Sequence, residues 1–358
     1  MERAVKDILK LLNGSVLFDY LLTFDEVFLV GGAIRDFLLG REVFDFDFVL
    51  RDNEFEKVKE FANENKLPNF ILNRGKYELL RIILDKYTYD FTKLSEALSE
   101  DIEKRDFTIN AIYINIKSER VIACKLAFEN LKNKALQAVN ESSIKADPVR
   151  LLRAIRFSAE YNFSIENSTK LLILDSIPEL RNVKKERVRE EIKKILDCDT
   201  KKVLSVLELL FGIELNDLRE RADLLNDFSI LGKEISRDVT YEDLFKVAFL
   251  SQKLPFFSFG FEGHEREVIM RVMDTPFKES FEGRFSIFTG NRDKLVPVLI
   301  SLFKAPKDDA EKYAKLFLKW SEIKISGSDI EEFLSKEVLE IKEARMKILK
   351  ERCLKYEV

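Results

Sequence analysis

The 358-residue sequence contains one histidine and three cysteines, and this scarcity excludes several kinds of site. With His264 as its single histidine, the chain has no residues for a His-rich metal centre or a His–Asp phosphohydrolase domain, and none to spare for a Ser–His–Asp triad. The polar sequence around His264 predicts a surface position. The cysteines, Cys124, Cys198 and Cys353, are far apart and odd in number, so neither a disulfide framework nor a zinc knuckle is predicted.

Long apolar runs are also missing. No stretch of about 18 apolar residues is present, so no membrane-spanning helix is predicted. The first twelve residues, MERAVKDILKLL, have the pattern of an amphipathic helix rather than of a signal sequence. We therefore expect a cytoplasmic protein. The length and the mass of 41.9 kDa predict about two to four modules rather than one compact core.

A strong positive charge is missing as well. The net charge of −4 is not that of a general nucleic-acid binder, so any such binding requires a local basic patch. Residues 181–194 supply one candidate, with seven cations against three anions. Their local charge of +4 predicts a contact with a phosphate backbone.

Residues 28–48, FLVGGAIRDFLLGREVFDFDF, are the most informative stretch of the chain. Phe28–Val30 predict the end of a buried strand, which Gly31 and Gly32 interrupt. Residues 33–39 then predict a helix whose first turn directs free N–H groups and the positive end of its dipole at a bound anion. This order of elements is typical of a loop that holds phosphates.

The strand predicted after the glycine loop carries two carboxylates on one face. Strict alternation places Phe44, Phe46 and Phe48 on one side and Asp45 and Asp47 on the other. The two acids lie roughly 6–7 Å apart at their Cα atoms, because a strand rises ~3.3 Å per residue. Such a pair suits two divalent ions about 3.5–4 Å apart, which clamp the oxygens of a phosphoryl transfer. Alone, an Asp-x-Asp pair also fits a solvated strand face or a glycosyltransferase.

Periodicity predicts the remaining elements. Helices are predicted at 1–13, 53–65 and 98–104, and strands at about 69–73, 77–84, 86–92 and 109–116. Asp90, on the predicted hairpin, is either a third carboxylate near the metals or a salt-bridge partner for an arginine. From about residue 125 helices predominate, so the pattern predicts a small α/β head followed by a helical body.

A second group of polar residues lies in the segment KRDFTINA. Arg105 has the geometry to pair with a phosphate through two N–H groups. Asp106 has the oxygens to accept a hydrogen bond from a ribose hydroxyl, and Asn110 offers both donors and acceptors. Taken alone, the same residues also fit the capped end of a helix.

A third group lies in the segment DPVRLLRAIRF. Asp147 is suited to the N-cap and Pro148 to the first position of a helix. An apolar stripe lies opposite Arg150 and Arg153, with Arg156 at its boundary. An Asp–Arg pair one turn apart presents donors and acceptors to the edge of a base, although a basic surface helix has the same pattern.

In this order, the segments GGAIRDFLLG with DFD, KRDFTINA, DPVRLLRAIRF and ERVREEIKKIL resemble four motifs of the class II tRNA nucleotidyltransferases and bacterial poly(A) polymerases. Those motifs are catalytic, ribose-selecting, nucleobase-templating and the neck helix. The resemblance is strong over residues 27–196 and faint beyond, where KISGSDIEEF loosely matches the tail. It implies an α+β fold, with a small mixed-sheet, polymerase-β-like nucleotidyltransferase head followed by an all-helical neck, body and tail.

The resemblance also implies domains and site residues. The head would occupy residues 1–124, the neck with the nucleobase-binding motif 125–197, and the tRNA-binding body and tail 198–358. Asp45 and Asp47 would be catalytic and bind Mg²⁺. Nucleotide binding would involve Gly31, Gly32, Arg35, Asp36, Arg105, Asp106, Asn110, Asp147, Arg150, Arg153 and Arg156.

The implied reaction is extension of an RNA 3′ end. The 3′-hydroxyl of a tRNA attacks the α-phosphate of CTP or ATP, and pyrophosphate leaves. Metal clamping and charge neutralisation supply the catalysis, so no protein nucleophile is needed. The implied partners are CTP and/or ATP and the acceptor end and minihelix of tRNA, with no membrane and no protein partner.

Three departures from the family pattern affect which nucleotide is added. Ala146 precedes Asp147 where many CCA-adding members carry Glu, and VIACKLAFENL replaces a usual Asp-Pro-Phe-Gly-Gly stretch. Residues 93–97 form a connector of five residues where full CCA-adding members carry a much longer mobile loop. In this family a lever-like loop is associated with the switch from C to A, so the short connector favours CC addition. The Asp-Pro-x-Arg pattern also resembles A-adding and poly(A) members, so CCA-, A- and poly(A)-adding activities remain alternatives.

Two readings from other classes make different predictions. A non-catalytic tRNA-binding relative would have no reason to keep Asp45 and Asp47 on one strand face. A glycosyltransferase would turn over a UDP-sugar, and it would leave residues 105–110 and 147–156 without roles.

Overall fold

The computed structural model describes residues 2–74, 77–94, 96–225, 228–236, 238–326, 328 and 338–356. The chain forms two compact units, residues 1–179 and 180–358. The domain boundaries expected at residues 124 and 197 stay predictions. Over the described residues, no helix is both long enough and apolar enough to cross a membrane.

A mixed sheet of seven strands organises the first unit. Its strands are β1 (Val27–Val30), β2 (Asp45–Leu50), β3 (Asn69–Arg74), β4 (Tyr77–Leu84), β5 (Tyr87–Lys93), β6 (Ile112–Asn115) and β7 (Val121–Ala123). They follow the order β3-β4-β5-β2-β1-β6-β7. Only β2 and β5 pair in parallel, and every other neighbouring pair is antiparallel. The mixed sheet predicted for the head is therefore confirmed.

The helices of the first unit lie between and after these strands. They are α1 (Glu2–Lys10), α2 (Val16–Leu21), α3 (Gly32–Leu38), α4 (Asp52–Glu64), α5 (Leu98–Glu103), α6 (Ala127–Asn133), α7 (Ser142–Lys145), α8 (Val149–Tyr161) and α9 (Asn167–Ser176). A short parallel pair, β8 (Ala135–Leu136) and β9 (Ser164–Ile165), joins the segments before and after α8. Helix α2 was not predicted, although Ser15 caps it by accepting a hydrogen bond from the N–H of Phe18 at 3.1 Å.

The two faces of β2 separate apolar from acidic side chains, as the alternation predicts. Phe46 and Phe48 are fully buried, whereas Asp45 and Asp47 lie on the accessible face. The alternation places Phe44 on the same side as Phe46 and Phe48, but it does not predict how deeply each is buried. Phe44 precedes the strand and is 42% exposed, although its carbonyl accepts a hydrogen bond from the N–H of Thr88 on β5 at 2.8 Å.

The strand predicted from residue 109 begins later than expected. Thr108–Asn110 form one turn of 3-10 helix, and β6 starts at Ile112. The N–H of Asn110 donates to the carbonyl of Phe107 at 2.9 Å, so the chain turns here before it enters the sheet. This turn moves the side chains of KRDFTINA off the ladder.

Helix α8 begins at Val149, one residue after the predicted start. Pro148 already has helical backbone angles, with φ of −59° and ψ of −21°. The predicted apolar stripe is confirmed, since Leu151, Leu152 and Ile155 have no exposed surface. That stripe fixes which face of α8 carries the arginines.

The second unit is almost entirely helical in its described part. Its helices are α10 (Lys185–Leu196), α11 (Thr200–Phe211), α12 (Asn216–Leu225), α13 (Tyr241–Lys253), α14 (Gly263–Asp274), α15 (Phe281–Gly290), α16 (Val296–Lys304), α17 (Lys307–Ser321) and α18 (Val338–Leu354). One short hairpin, β10 (Glu234–Ser236) and β11 (Val239–Thr240), precedes α13. His264 lies on the surface as predicted, with 54% of its side chain exposed. Most of the segment KISGSDIEEF lies outside the described residues.

Two phenylalanines near β2 provide a matched test of this packing. We expect Phe48→Ala to lower the free energy of unfolding by about 3–5 kcal/mol, because it empties a fully buried site. Phe44→Ala removes the same atoms from an exposed position and should cost about 0.5 kcal/mol or less. Urea denaturation of both variants measures the difference. Equal losses would contradict the burial of Phe48 and the exposure of Phe44.

Candidate functional site

The glycine turn, an arginine and a carboxylate meet at the end of β1. Gly31 has φ of 74° and ψ of −130°, a conformation that favours glycine. A Cβ atom at Gly31 would lie 3.8 Å from Nη1 of Arg105 and 3.9 Å from Oδ2 of Asp47. The glycine turn was expected to expose its N–H groups, but the N–H of Gly31 donates to the carbonyl of Ile112 at 3.2 Å. The turn therefore lets a ligand come close to the backbone, but it does not provide the N–H of Gly31 as a hydrogen-bond donor.

Three carboxylates lie next to one another on β2 and β5. Asp47 pairs in register with Val30 on one side and with Asp90 on the other, and Asp45 shares its strand face. Solvent reaches the Asp47 side chain, but protein atoms surround it closely. Burial, and after it the charge of Asp90, raise the pKa of Asp47 to about 6, although the nearby Arg105 opposes the rise. Asp47 is thus an acid whose charge the protein leaves largely uncompensated.

Asp90 fits both of its sequence-based interpretations. Its carboxylate accepts two hydrogen bonds from Arg81, at 2.7 Å from Nε and 2.6 Å from Nη2. It is therefore a salt-bridge partner for an arginine. It is also the carboxylate whose charge acts most strongly on Asp47, so it belongs to the acidic cluster.

The acids fit a magnesium ion that is shared with a substrate. No group of three or more metal-ligating side chains occurs among the described residues, so a cage made only of protein is not formed. Mg²⁺ is commonly held by one or two carboxylates together with substrate phosphates. Asp45 and Asp47 provide that pair, and a cation beside them would offset the burial and the repulsion by Asp90 that raise the pKa of Asp47.

Arg105 is held rigidly beside the glycine turn. Its Nε donates to the hydroxyl of Tyr113 at 2.6 Å and its Nη2 to Asp101 at 2.9 Å. Burial alone would lower the pKa of Arg105, but Tyr113 and Asp101 outweigh it and raise the pKa. The guanidinium therefore stays charged, with Nη1 directed towards Gly31. This position suits a phosphate contact.

Arg35 is buried and committed to protein partners. Its Nε and Nη2 both donate to Asp36 at 2.9 Å, its Nη1 donates to Asn110 at 2.6 Å, and its Nη2 also donates to Tyr161 at 2.6 Å. Only 6% of Arg35 is exposed. These contacts favour a structural role for Arg35 and Asp36, and their expected contact with the nucleotide stays a prediction.

Asp106 has one oxygen occupied and the other without a hydrogen bond. Oδ1 accepts from Nδ2 of Asn110 at 3.0 Å and from the N–H of Phe107 at 2.7 Å. Oδ2 lies 2.8 Å from Nη2 of Arg153, but among the described residues no N–H points at it well enough to form a hydrogen bond. Burial would raise the pKa of Asp106, yet Arg153 and these donors hold it below the usual value. Asp106 is therefore an ionised acceptor.

The arginines of α8 occupy two different settings. Arg150 donates to the carbonyl of Ser143 at 2.7 Å and lies 4.0 Å from Asp147, as an Asp–Arg pair one turn apart should. Arg156 instead donates to Glu160 at 3.1 Å. Arg150 and Asp147 therefore form a separate group from Arg156, whose predicted nucleotide contact gains no support from these bonds.

Electrostatics place Arg150 near the second motif. Burial lowers the pKa of Arg150, whereas the charges of Asp106 and Asp147 raise it. The charges of Arg105 and Arg153 are also close enough to act on it. The glycine turn, KRDFTINA and the start of α8 thus converge on one site within the first unit.

Tyr161 is, like Tyr113 and Asp101, a residue of this site that the sequence did not reveal. It is the last residue of α8, and its hydroxyl accepts a hydrogen bond from Arg35. A tyrosine at a helix end carries no local signal of such a contact. Its spacing of eight residues from Arg153 does place the two side chains within about 80° on one helix, which is the signal that could have found it.

Two family models match parts of this chain. Residues 27–137 match the family described as "Poly A polymerase head domain". Residues 162–210 match the family described as "Probable RNA and SrmB- binding site of polymerase A". The first match contains the glycine turn, the acids and KRDFTINA.

Curated relatives match about half of this chain. A CC-adding tRNA nucleotidyltransferase of Synechocystis sp. is 32% identical over 188 residues, which cover 52% of this chain and 45% of that protein. An A-adding tRNA nucleotidyltransferase of Aquifex aeolicus is 36% identical over 202 residues, which cover 51% of this chain and 24% of that protein. The chain thus spans less than half the length of either curated relative.

The whole fold resembles a solved structure. The Thermotoga maritima CCA-adding enzyme complexed with tRNA has a TM-score of 0.69 at 20% sequence identity, covering 98% of this chain and 94% of that one. At this identity the likeness is one of fold. It confirms the predicted head followed by a helical body.

The acidic pair predicts a specific response to metal. At pH 8, above the pKa of Asp47, Mg²⁺ at about ten times its Kd should add about 1.4 kcal/mol to the stability of the native protein. Asp47→Asn should abolish the rise in melting temperature, because it removes a ligand charge. Asp25→Asn, which changes a carboxylate with 86% of its side chain exposed in the same unit, should retain it. An equal rise in all three proteins would contradict the site.

Proposed function

Because this chain belongs to the family of class II tRNA nucleotidyltransferases and bacterial poly(A) polymerases, we propose that it extends the 3′ end of tRNA with C from CTP. The 3′-hydroxyl of the tRNA attacks the α-phosphate, and pyrophosphate leaves. The observation that carries the proposal is the approach of Arg105 and Asp47 to within 4 Å of a side-chain position on Gly31. A glycine turn, a cation and a metal-ligating acid at one place form a triphosphate site.

Each group at this site has a distinct part in the transfer. Arg105 neutralises phosphate charge, since its guanidinium is fixed and directed at the turn. Gly31 and Gly32 let the chain approach the phosphates without a side chain in the way. Asp45 and Asp47 would hold Mg²⁺, which when bound supplies charge neutralisation at the α-phosphate.

The nucleoside would lie on the side of KRDFTINA and α8. Oδ2 of Asp106, which is buried beside Arg153 and accepts no hydrogen bond among the described residues, would be the acceptor for a ribose hydroxyl, and a buried ionised oxygen gains most from such a donor. Asp147 and Arg150 would present donors and acceptors to the base edge, and Arg153 would lie between base and ribose. This arrangement would select a ribonucleotide by contacts with protein alone.

The connector between β5 and α5 supports CC addition over full CCA addition. Leu94 is buried and its N–H donates to the carbonyl of Leu50 at 2.7 Å. The carbonyl of Glu96 accepts from Arg51 at 3.2 Å, and Lys93 is held by three carboxylates. These contacts fasten residues 93, 94 and 96 of the connector, which argues against its acting as the lever that the resemblance links to A addition.

Full CCA-adding, A-adding and poly(A) activities are the alternatives. The CC-adding and A-adding relatives are similarly close to this chain, so identity does not separate them. A non-catalytic tRNA-binding relative is the alternative from another class. The cytoplasmic location and the contact with the acceptor end and minihelix stay predictions.

Extension of three tRNA primers separates these functions. Primers that lack all three, the last two or only the last of the CCA nucleotides are incubated with Mg²⁺ and each labelled nucleoside triphosphate. We expect CTP to extend the first two primers to their second C and ATP to extend none, because the fastened connector leaves no means of switching. Gel analysis of the longest product gives the answer. Addition of A to the last primer would contradict CC specificity.

A matched variant tests catalysis itself. Asp45→Ala should abolish incorporation on every primer, because it removes one of the two carboxylates of the site. Asp25→Asn serves as the control that keeps the site intact. Unchanged incorporation by Asp45→Ala would favour the non-catalytic relative.

A further inference from the structure

We infer that Tyr161 is a positioning residue for ribose selection, which acts through Arg35 and Asn110 on the carboxylate of Asp106. The inference rests on the proposed function and extends it to a residue outside the sequence motifs. The chain of residues consists of four contacts, all between side chains of the protein.

The four contacts run in one direction through the head. The hydroxyl of Tyr161 accepts from Nη2 of Arg35 at 2.6 Å. Nη1 of Arg35 donates to Oδ1 of Asn110 at 2.6 Å, and Nδ2 of Asn110 donates to Oδ1 of Asp106 at 3.0 Å. Oδ2 of Asp106 then lies 2.8 Å from Arg153.

The chain of contacts begins and ends on the same helix. Arg153 and Tyr161 are eight residues apart on α8, which is about 12 Å along its axis. Phe157 lies between them, and its ring is 4.9 Å from the guanidinium of Arg35 and 5.4 Å from that of Arg153. Helix α8 therefore contacts this chain of residues at two points, Tyr161 and Arg153. The ring of Phe157 packs against the guanidinium groups of Arg35 and Arg153.

Hydrogen-bond chemistry allows one orientation along this path. An arginine can only donate, so the amide oxygen of Asn110 must face Arg35. The NH₂ group of Asn110 must then face Asp106, and it occupies Oδ1. Oδ2, buried against Nη2 of Arg153, is consequently the oxygen that accepts no hydrogen bond from the described residues, and a sugar hydroxyl would reach it when Arg153 turns aside. Asn110, together with the backbone N–H of Phe107, therefore decides which oxygen of Asp106 is presented.

Burial makes the orientation rigid. Arg35, Asn110 and Asp106 are each 5–6% exposed, so water offers little replacement for a lost partner. Tyr161 is a partner that stays neutral. Burial raises the pKa of its phenol, Arg35 lowers it, and the charges of Asp36 and Glu160 raise it further, so that the pKa as a whole is raised. Without the hydroxyl, Nη2 of Arg35 would keep Asp36 alone and the guanidinium would gain freedom to turn.

The variant Tyr161→Phe removes this hydroxyl and keeps the ring. We expect the ratio of kcat/KM for CTP to that for 2′-deoxy-CTP to fall about three- to tenfold, the effect of one hydrogen bond on a competing pair of substrates. A protein that is merely less stable loses active molecules for both nucleotides equally, and its ratio does not change. Tyr20→Phe, whose ring stacks on Phe61 in the same unit, should leave the ratio unchanged.

A double-mutant cycle shows whether the effect passes through Asn110. Asn110→Ala should lower the same ratio, and adding Tyr161→Phe to it should lower the ratio no further, because both changes break one path. Additive losses would place Tyr161 outside the path and overturn the inference. If Tyr161→Phe does not fold, Asn110→Ala alone decides, and an unchanged ratio overturns the inference.

The outcomes separate this inference from the proposed function. If the unaltered protein incorporates no nucleotide into tRNA, both fail. If it incorporates CTP in preference to 2′-deoxy-CTP and Tyr161→Phe keeps the full preference, the inference is overturned while the proposed function stands.

Discussion

The antiparallel pairing of β1 with β2 is the constraint on which the site depends. In this register Val30 lies opposite Asp47, so the residue that follows, Gly31, leaves the sheet beside the acidic face of β2. Parallel pairing of β2 with β5 adds Asp90 on the other side of Asp47. Because side chains alternate along a strand, a slip of one residue would bury both carboxylates of β2 and expose the phenylalanines that anchor the sheet. Packing and chemistry are therefore fixed by the same ladder.

The charges of the head fall into two classes, those that the protein compensates and those that it does not. Arg35 and Asp106 are buried, which is costly unless each charge has partners, and each has them. Asp47 has other acids as near neighbours, and its pKa rises. An acid left in this state marks the place where a cation and a charged substrate would dock. The compensated charges stabilise the fold, whereas the charge of Asp47, which is largely uncompensated, remains available to bind a cation.

Local patterns predicted the parts of this site, and long-range contacts determined how the parts are used. Alternation placed Asp45 and Asp47 on one face because it depends on the strand alone. It did not report the depth of burial, since Phe44, on the same side as Phe46 and Phe48, is 42% exposed. Arg35 was expected to contact the nucleotide, but its side chain donates a hydrogen bond to Tyr161, which is 126 residues away. No local pattern in the sequence reports such a pairing.

The account is tested most directly by locating the metal. Crystals grown with Mn²⁺ in place of Mg²⁺ and with a CTP analogue that does not react would be measured for anomalous scattering. The account predicts a peak bridging Asp45, Asp47 and the triphosphate, with Arg105 on the phosphates. A peak bound elsewhere, or a triphosphate seated away from Gly31, would contradict it.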